Sequence, residues 1–101
     1  MPVLAHWSSA ERCLTLQVSG RFDAALHADF RGAWETFEPR PAHFVVDLEG
    51  ALALDASALG MLLHLRQRAL RTNATVALAK ARPRVARALA AAHFERWFAS
   101  A

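Results

Sequence analysis

The sequence predicts an α/β domain: a mixed β-sheet of four to five strands with helices packed mainly on one side. Three observations predict it. Cys13-Leu14-Thr15-Leu16-Gln17-Val18-Ser19 alternates with period two, the pattern of a half-buried strand. His43 to Leu48 is nearly unbroken apolar sequence, as in a strand covered on both faces. Around these runs apolar residues recur three and four apart, the period of an amphipathic helix. The 101 residues are enough for one core but not two, so a single domain over 1–101 is expected.

Val3 to Trp7 reads as a first strand. Ser8-Ser9-Ala10-Glu11-Arg12 is a polar turn that hairpins it to the strand from Cys13 to Ser19, which Gly20 is expected to end. Asp23 is placed to cap a helix reaching about Phe37, with Leu26, Phe30, Ala33, Trp34 and Phe37 on one apolar face. Glu38-Pro39-Arg40-Pro41 breaks that helix, because proline lacks an N–H and restricts the residue before it. After the strand from His43 to Leu48, Glu49-Gly50 reads as a turn and Ala51 to Leu54 as short extended chain. The second helix is expected from Ser57 to about Arg71. Thr72-Asn73 closes it, asparagine being tolerant of the left-handed conformation. Thr75 to Ala79 is a further strand. Pro83 suits the first position of a third helix running to about Ala92. His93 to Phe98 is expected to form a short turn packed by its aromatics. Helix follows strand in the second half, so right-handed parallel crossovers are expected there.

Composition excludes several classes. Hydrophobic residues make up 54% of the chain. No apolar stretch reaches the roughly eighteen residues a membrane helix needs. Met1-Pro2-Val3-Leu4-Ala5-His6 lacks the basic head and apolar run of a secretory signal. Cys13 is the only cysteine, so no internal disulfide is available and a reducing, cytoplasmic setting is expected. The net charge of +3 comes from arginine: Arg66, Arg68, Arg71, Arg82, Arg84, Arg87 and Arg96, with Lys80. These cations could mark a nucleic-acid-binding module. With no interleaved aromatics and no groove-reading motif, they read better as the solvated faces of two helices. The five histidines are scattered without ligand spacing, so no metal is assigned. The isolated glycines form no phosphate loop, and no cofactor is implied. Ser57 and His64 lie two helical turns apart and cannot form a nucleophile–base pair.

The segment Asp55-Ala56-Ser57-Ala58-Leu59-Gly60 is the informative one. It follows an apolar strand and opens a long apolar helix. A serine there lies near backbone N–H groups that lack intrahelical partners, at the positive end of the helix dipole. Such a serine can serve as an N-cap, and its hydroxyl is also placed where an added phosphate would be tolerated. Asp55 can bind nearby backbone N–H groups or orient the Ser57 hydroxyl. Ser57, Gly60, Met61, His64 and Arg68 fall on one stripe of the helix, with Leu59, Leu62, Leu63 and Leu70 turned to the sheet. That stripe is either a partner-binding face or an ordinary solvated edge.

Gly20-Arg21-Phe22-Asp23, Val45-Val46-Asp47-Leu48 and Asp55-Ala56-Ser57-Ala58-Leu59-Gly60-Met61-Leu62-Leu63 together resemble the STAS family. The likeness is nearest to its single-domain bacterial anti-sigma-factor antagonists, and covers almost the whole chain. The resemblance implies a non-enzymatic binding module with a STAS-like fold. It implies phosphorylation at Ser57 by a GHKL-type kinase that is also the anti-sigma factor, and reversal by a PP2C-type phosphatase. Together with the helical stripe it gives an expected partner surface of Asp23, Asp55, Ala56, Ser57, Ala58, Gly60, Met61, His64 and Arg68. Ala56 stands where many relatives carry a second Ser or Thr, and Ala58 where glycine is common. Neither direct nucleic-acid contact nor membrane insertion is expected, and the chain should be a monomer or weak dimer. A similar domain serves as a small subunit of a lipid-transport ABC complex, bound to its ATPase.

Overall fold

The computed structural model describes residues 2–100. Five strands form one sheet in the order β1-β2-β3-β4-β5. They are β1 (Val3–Ser8), β2 (Cys13–Phe22), β3 (His43–Leu54), β4 (Thr75–Ala79) and the two-residue β5 (Ala99–Ser100). β1 and β2 are antiparallel and the remaining pairs parallel. The helices are α1 (His27–Trp34), α2 (Ala56–Arg71) and α3 (Pro83–Ala91), with single 3-10 turns at Ala24–Leu26 and Phe94–Arg96. Each parallel step is a strand–helix–strand unit, and the helices cover mainly one sheet face.

That face carries Leu14, Leu16 and Val18 from β2, aligned with Phe44, Val46 and Leu48 from β3. All six are buried, and each such side chain stabilises the fold by about 1.5–3 kcal/mol relative to exposure. The run from His43 to Leu48 is not covered on both faces as expected. His43 is exposed and Val45 half-buried on the other side. An apolar run does not say whether a second layer exists to cover it.

Two expected stops are bulges. β2 does not end at Gly20. It continues to Phe22, with Gly20 at φ +82 and the register with β3 shifting on either side of the Ser19–Gly20 pair. Glu49-Gly50 is not a turn, since β3 runs through it and pairs Gly50 with Ser19 and Leu54 with Phe22. The Asp47 carboxylate accepts the Glu49 N–H at 2.9 Å and holds the irregular backbone. A Cβ on Gly50 would lie 3.0 Å from the Ser19 Cβ, so glycine here permits strands to approach closely. β1 pairs β2 only as far as Val18, and β4 pairs β3 only as far as Asp47. Beyond them, β2 and β3 continue as a two-stranded ribbon.

The first helix is shorter than the sequence suggests. Asp23 caps the 3-10 turn, accepting the Ala25 N–H at 3.0 Å, and the α-helix ends at Trp34 rather than near Phe37. Leu26, Phe30 and Trp34 are buried as the apolar stripe requires. Asn73 adopts the left-handed conformation and Pro83 opens α3, both as expected. The final turn packs Phe94 against Trp97 and Phe98. β5, absent from the sequence reading, exists through its pairing with Ala77 and Leu78 of β4.

Candidate functional site

The ribbon of β2 and β3 delivers two loops to one place. The Asp55 N–H donates to the Phe22 carbonyl at 3.4 Å, tying the end of one strand to the end of the other. Arg21, Phe22, Asp23, Ala53, Leu54 and Asp55 line a shallow cavity of about 210 Å³ between them. The two aspartates that the sequence singled out thus flank a common depression. Arg21 joins them, a residue carried by the Gly20-Arg21-Phe22-Asp23 element but not singled out by it. A larger cleft of about 380 Å³ opens at the other end of α2, against Trp34, Pro41, Phe44, Arg68 and Thr72, away from Ser57.

α2 starts at Ala56, one residue earlier than expected. Its N-cap is Asp55, in extended conformation, whose carboxylate accepts the Ala58 N–H at 3.1 Å. Ser57 is therefore not the cap. It is the second residue of the helix, exposed, in the turn whose N–H groups carry the positive end of a 16-residue dipole. Sequence could not separate the two, because aspartate and serine are equally good caps and stand two apart. Ala56 and Gly60 are exposed beside Ser57. A Cβ on Gly60 would meet nothing within 4 Å, so packing does not require glycine there.

The rest of the stripe has a different fate. Met61 is buried in the core at 6% exposure, and Ala58 is fully buried. His64 is half-buried, its ring perpendicular to Trp34 at 5.3 Å between centroids. The Arg68 guanidinium lies over the Trp34 ring at 5.2 Å and donates to the Glu35 carbonyl at 2.8 Å. From Met61 onward this stripe is the seam between α1 and α2. Ala58 and Met61 are corrected accordingly: they are buried and hold the helix in place. His64 and Arg68 are half-buried and engaged with Trp34, farther along α2 from Ser57. Leu70, expected to face the sheet, is 62% exposed, while Leu65 and Ala69 face the core. Of the expected partner residues, Asp23, Asp55, Ala56, Ser57 and Gly60 share one accessible end of the molecule.

Among the described residues, no group of three His, Cys, Asp or Glu side chains is placed to hold a metal ion. Among the same residues, no helix is long and apolar enough to cross a membrane.

Residues 5–98 match the family model described as "Mlab, STAS domain". The chain belongs to the STAS family. A STAS-domain containing protein of Pseudomonas aeruginosa (strain UCBPP-PA14) is 46% identical over 98 residues, covering 97% of each chain. The STAS fold also extends to solved structures of low identity. The anti-sigma factor antagonist SpoIIAA, in its unphosphorylated form, superposes with a TM-score of 0.82 at 15% identity, over 98% of this chain and 87% of that one. A sulfate transporter family protein from Wolinella succinogenes superposes at 0.76 with 16% identity, over 84% and 70%. At these identities the likeness concerns the fold, which regulatory and transporter-associated STAS domains share.

Proposed function

We propose that this STAS domain is an anti-sigma-factor antagonist, a cytoplasmic, non-enzymatic module. It binds an anti-sigma factor that is also a GHKL-type serine kinase while Ser57 is unmodified, and releases it once Ser57 is phosphorylated. A PP2C-type phosphatase restores the binding form. The observation that carries this reading is the separation of roles at the start of α2. Asp55 makes the capping bond, and Ser57 stands exposed beside it, outside the cap. A serine without a structural task at a helix N-terminus, in a chain of this family, is best explained as a target.

The physical consequence is a switch at the contact surface. Phosphorylation adds about −1.5 to −2 charges. The helix dipole favours them by about 0.3–1 kcal/mol, so the fold tolerates the change. A partner closed over Ser57, Gly60 and the Asp23–Asp55 depression would have to desolvate that charge, at a cost of several kcal/mol. Asp55 adds like-charge repulsion. A loss of about a hundredfold in affinity follows from each 2.7 kcal/mol.

The test is incubation with the cognate kinase and ATP, followed by binding measurements. Ser57→Ala should take up no phosphate and still bind. Ser57→Asp should bind at least about a hundredfold more weakly than wild type. Equal labelling of Ser57→Ala and wild type would overturn the assignment.

The STAS resemblance also carries a second reading, a small subunit docked on the ATPase of a lipid-transport ABC complex. Co-purification separates the two: an ATPase subunit held equally by wild type and Ser57→Asp supports the second, a serine kinase lost by Ser57→Asp the first.

A further inference from the structure

Charge is segregated along this chain. Residues 1–55 carry four Arg or Lys side chains against eight acidic ones, and residues 56–98 carry eight against Glu95 alone. Strand order follows chain order, so the segregation in sequence becomes a separation in space. In the sheet β1 and β2 lie to one side of β3 and β4 and β5 to the other, while α2 packs against β3, β4 and α1.

Three of the eight cations have internal tasks. Arg68 is held on Trp34 and the Glu35 carbonyl, Lys80 is 3.9 Å from the Asp47 carboxylate, and Arg82 donates to the Glu49 carbonyl. Among the described residues, Arg66, Arg71, Arg84, Arg87 and Arg96 form no ion pair. Two of them converge on one side chain. The guanidiniums of Arg66 and Arg96 lie 5.8 Å and 5.7 Å from the centre of the Trp97 ring, and Arg66 Nε donates to the Trp97 carbonyl at 3.3 Å. Trp97 is 41% exposed, and Leu70, one turn beyond Arg66 on α2, is exposed as well. Arg84 and Arg87 stand three apart on the solvent side of α3.

We propose that Arg66, Leu70, Arg96 and Trp97, extended by Arg84 and Arg87 of α3, form a second docking surface whose occupant is an acidic segment of another protein. Unneutralised like charges repel one another, and a partner's carboxylates would relieve that repulsion. Arginine, unlike lysine, offers a planar fork that meets a carboxylate with two parallel hydrogen bonds. Tryptophan and arginine together are the side chains that most often anchor protein interfaces, and an exposed leucine supplies an apolar contact. Nucleic acid fits less well. Bases would need the indole ring for stacking, and guanidiniums already lie over it. Leu70 lies 13 residues along α2 from Ser57, about 20 Å at the helical rise.

The test uses the whole protein and a labelled helical peptide bearing Glu on one face and Leu on the other. Polyglutamate, a DNA duplex and phosphatidylglycerol vesicles serve as comparisons at the same salt. The peptide should bind saturably and more tightly than any of the three. Arg66→Gln with Arg96→Gln should weaken it at least about tenfold. Arg84→Gln with Arg87→Gln, on an exposed helix face, should weaken it without altering the thermal midpoint, and decides the matter if the first pair disturbs folding. Ser57→Asp should leave it unchanged, which keeps this result independent of the phosphorylation reading. Absence of saturable peptide binding overturns the proposal. So does tighter binding of DNA or vesicles, or indifference to the α3 substitutions.

Discussion

The first turn of α2 and the turns that follow it share one stripe of residues and do opposite things. Ser57 and Gly60 look outward. Farther along the same line, Met61 is buried in the core, and His64 and Arg68 pack on Trp34 of α1. The difference does not lie in the helix, which is regular throughout. It lies in the neighbour: Trp34 of α1 stands against His64 and Arg68, whereas Ser57 and Gly60 are exposed. A helical stripe becomes a surface or a seam according to what stands opposite.

The contrast can be broken most severely at the seam. Trp34 is 2% exposed and supports both His64 and Arg68. Trp34→Ala should cost about 3–5 kcal/mol in urea unfolding. Wherever the variant is folded, Ser57 should still be phosphorylated, since the first turn does not rest on Trp34. A variant that unfolds no more easily than wild type would show that the seam is not structural.

Asp55→Ala removes the cap and should cost about 1 kcal/mol. It should also weaken partner binding, because the same residue lines the depression beside Asp23. Asp55→Asn keeps a capping oxygen, so it should restore most of the stability and separate the cap from the charge.

The smallest effect sharpens the comparison most. Gly60 lies in an exposed helix interior where a methyl group meets nothing. Gly60→Ala should therefore stabilise the fold by about 0.5–1 kcal/mol. If the first turn is the docking face, the same methyl group should reduce partner affinity. A gain in thermal midpoint with undiminished binding would move the interface away from Gly60.

Most of the fold was legible because its signals are local. The alternation of Leu14, Leu16 and Val18, the cap at Asp23, Asn73 closing α2 and Pro83 opening α3 each follow from the residue and its near neighbours. The misreadings concern relations between distant segments. Gly20 and Gly50 look like stops in the sequence, and whether a glycine ends a strand or lets it kink depends on the strand beside it. Met61 and Leu70 exchanged expected environments because the period of a helix does not reveal how wide its buried sector is. Ser57 was identified as the informative residue, yet its capping role belonged to Asp55, which only backbone geometry could show. β5 is two residues long and has no pattern of its own apart from β4.

The paired extension of β2 and β3 has a consequence for how such a surface can change. Past Val18 and Asp47 these strands pair in the sheet with each other, and Asp23 and Asp55 follow directly from their ends. The spacing of the two carboxylates is thus a property of main-chain register, kept by one ladder and by the glycine that lets it close. Lining residues such as Arg21 and Ala53 are ornaments on that frame, replaceable one at a time. Loyalty to a new partner would be acquired by repainting, with no carpentry.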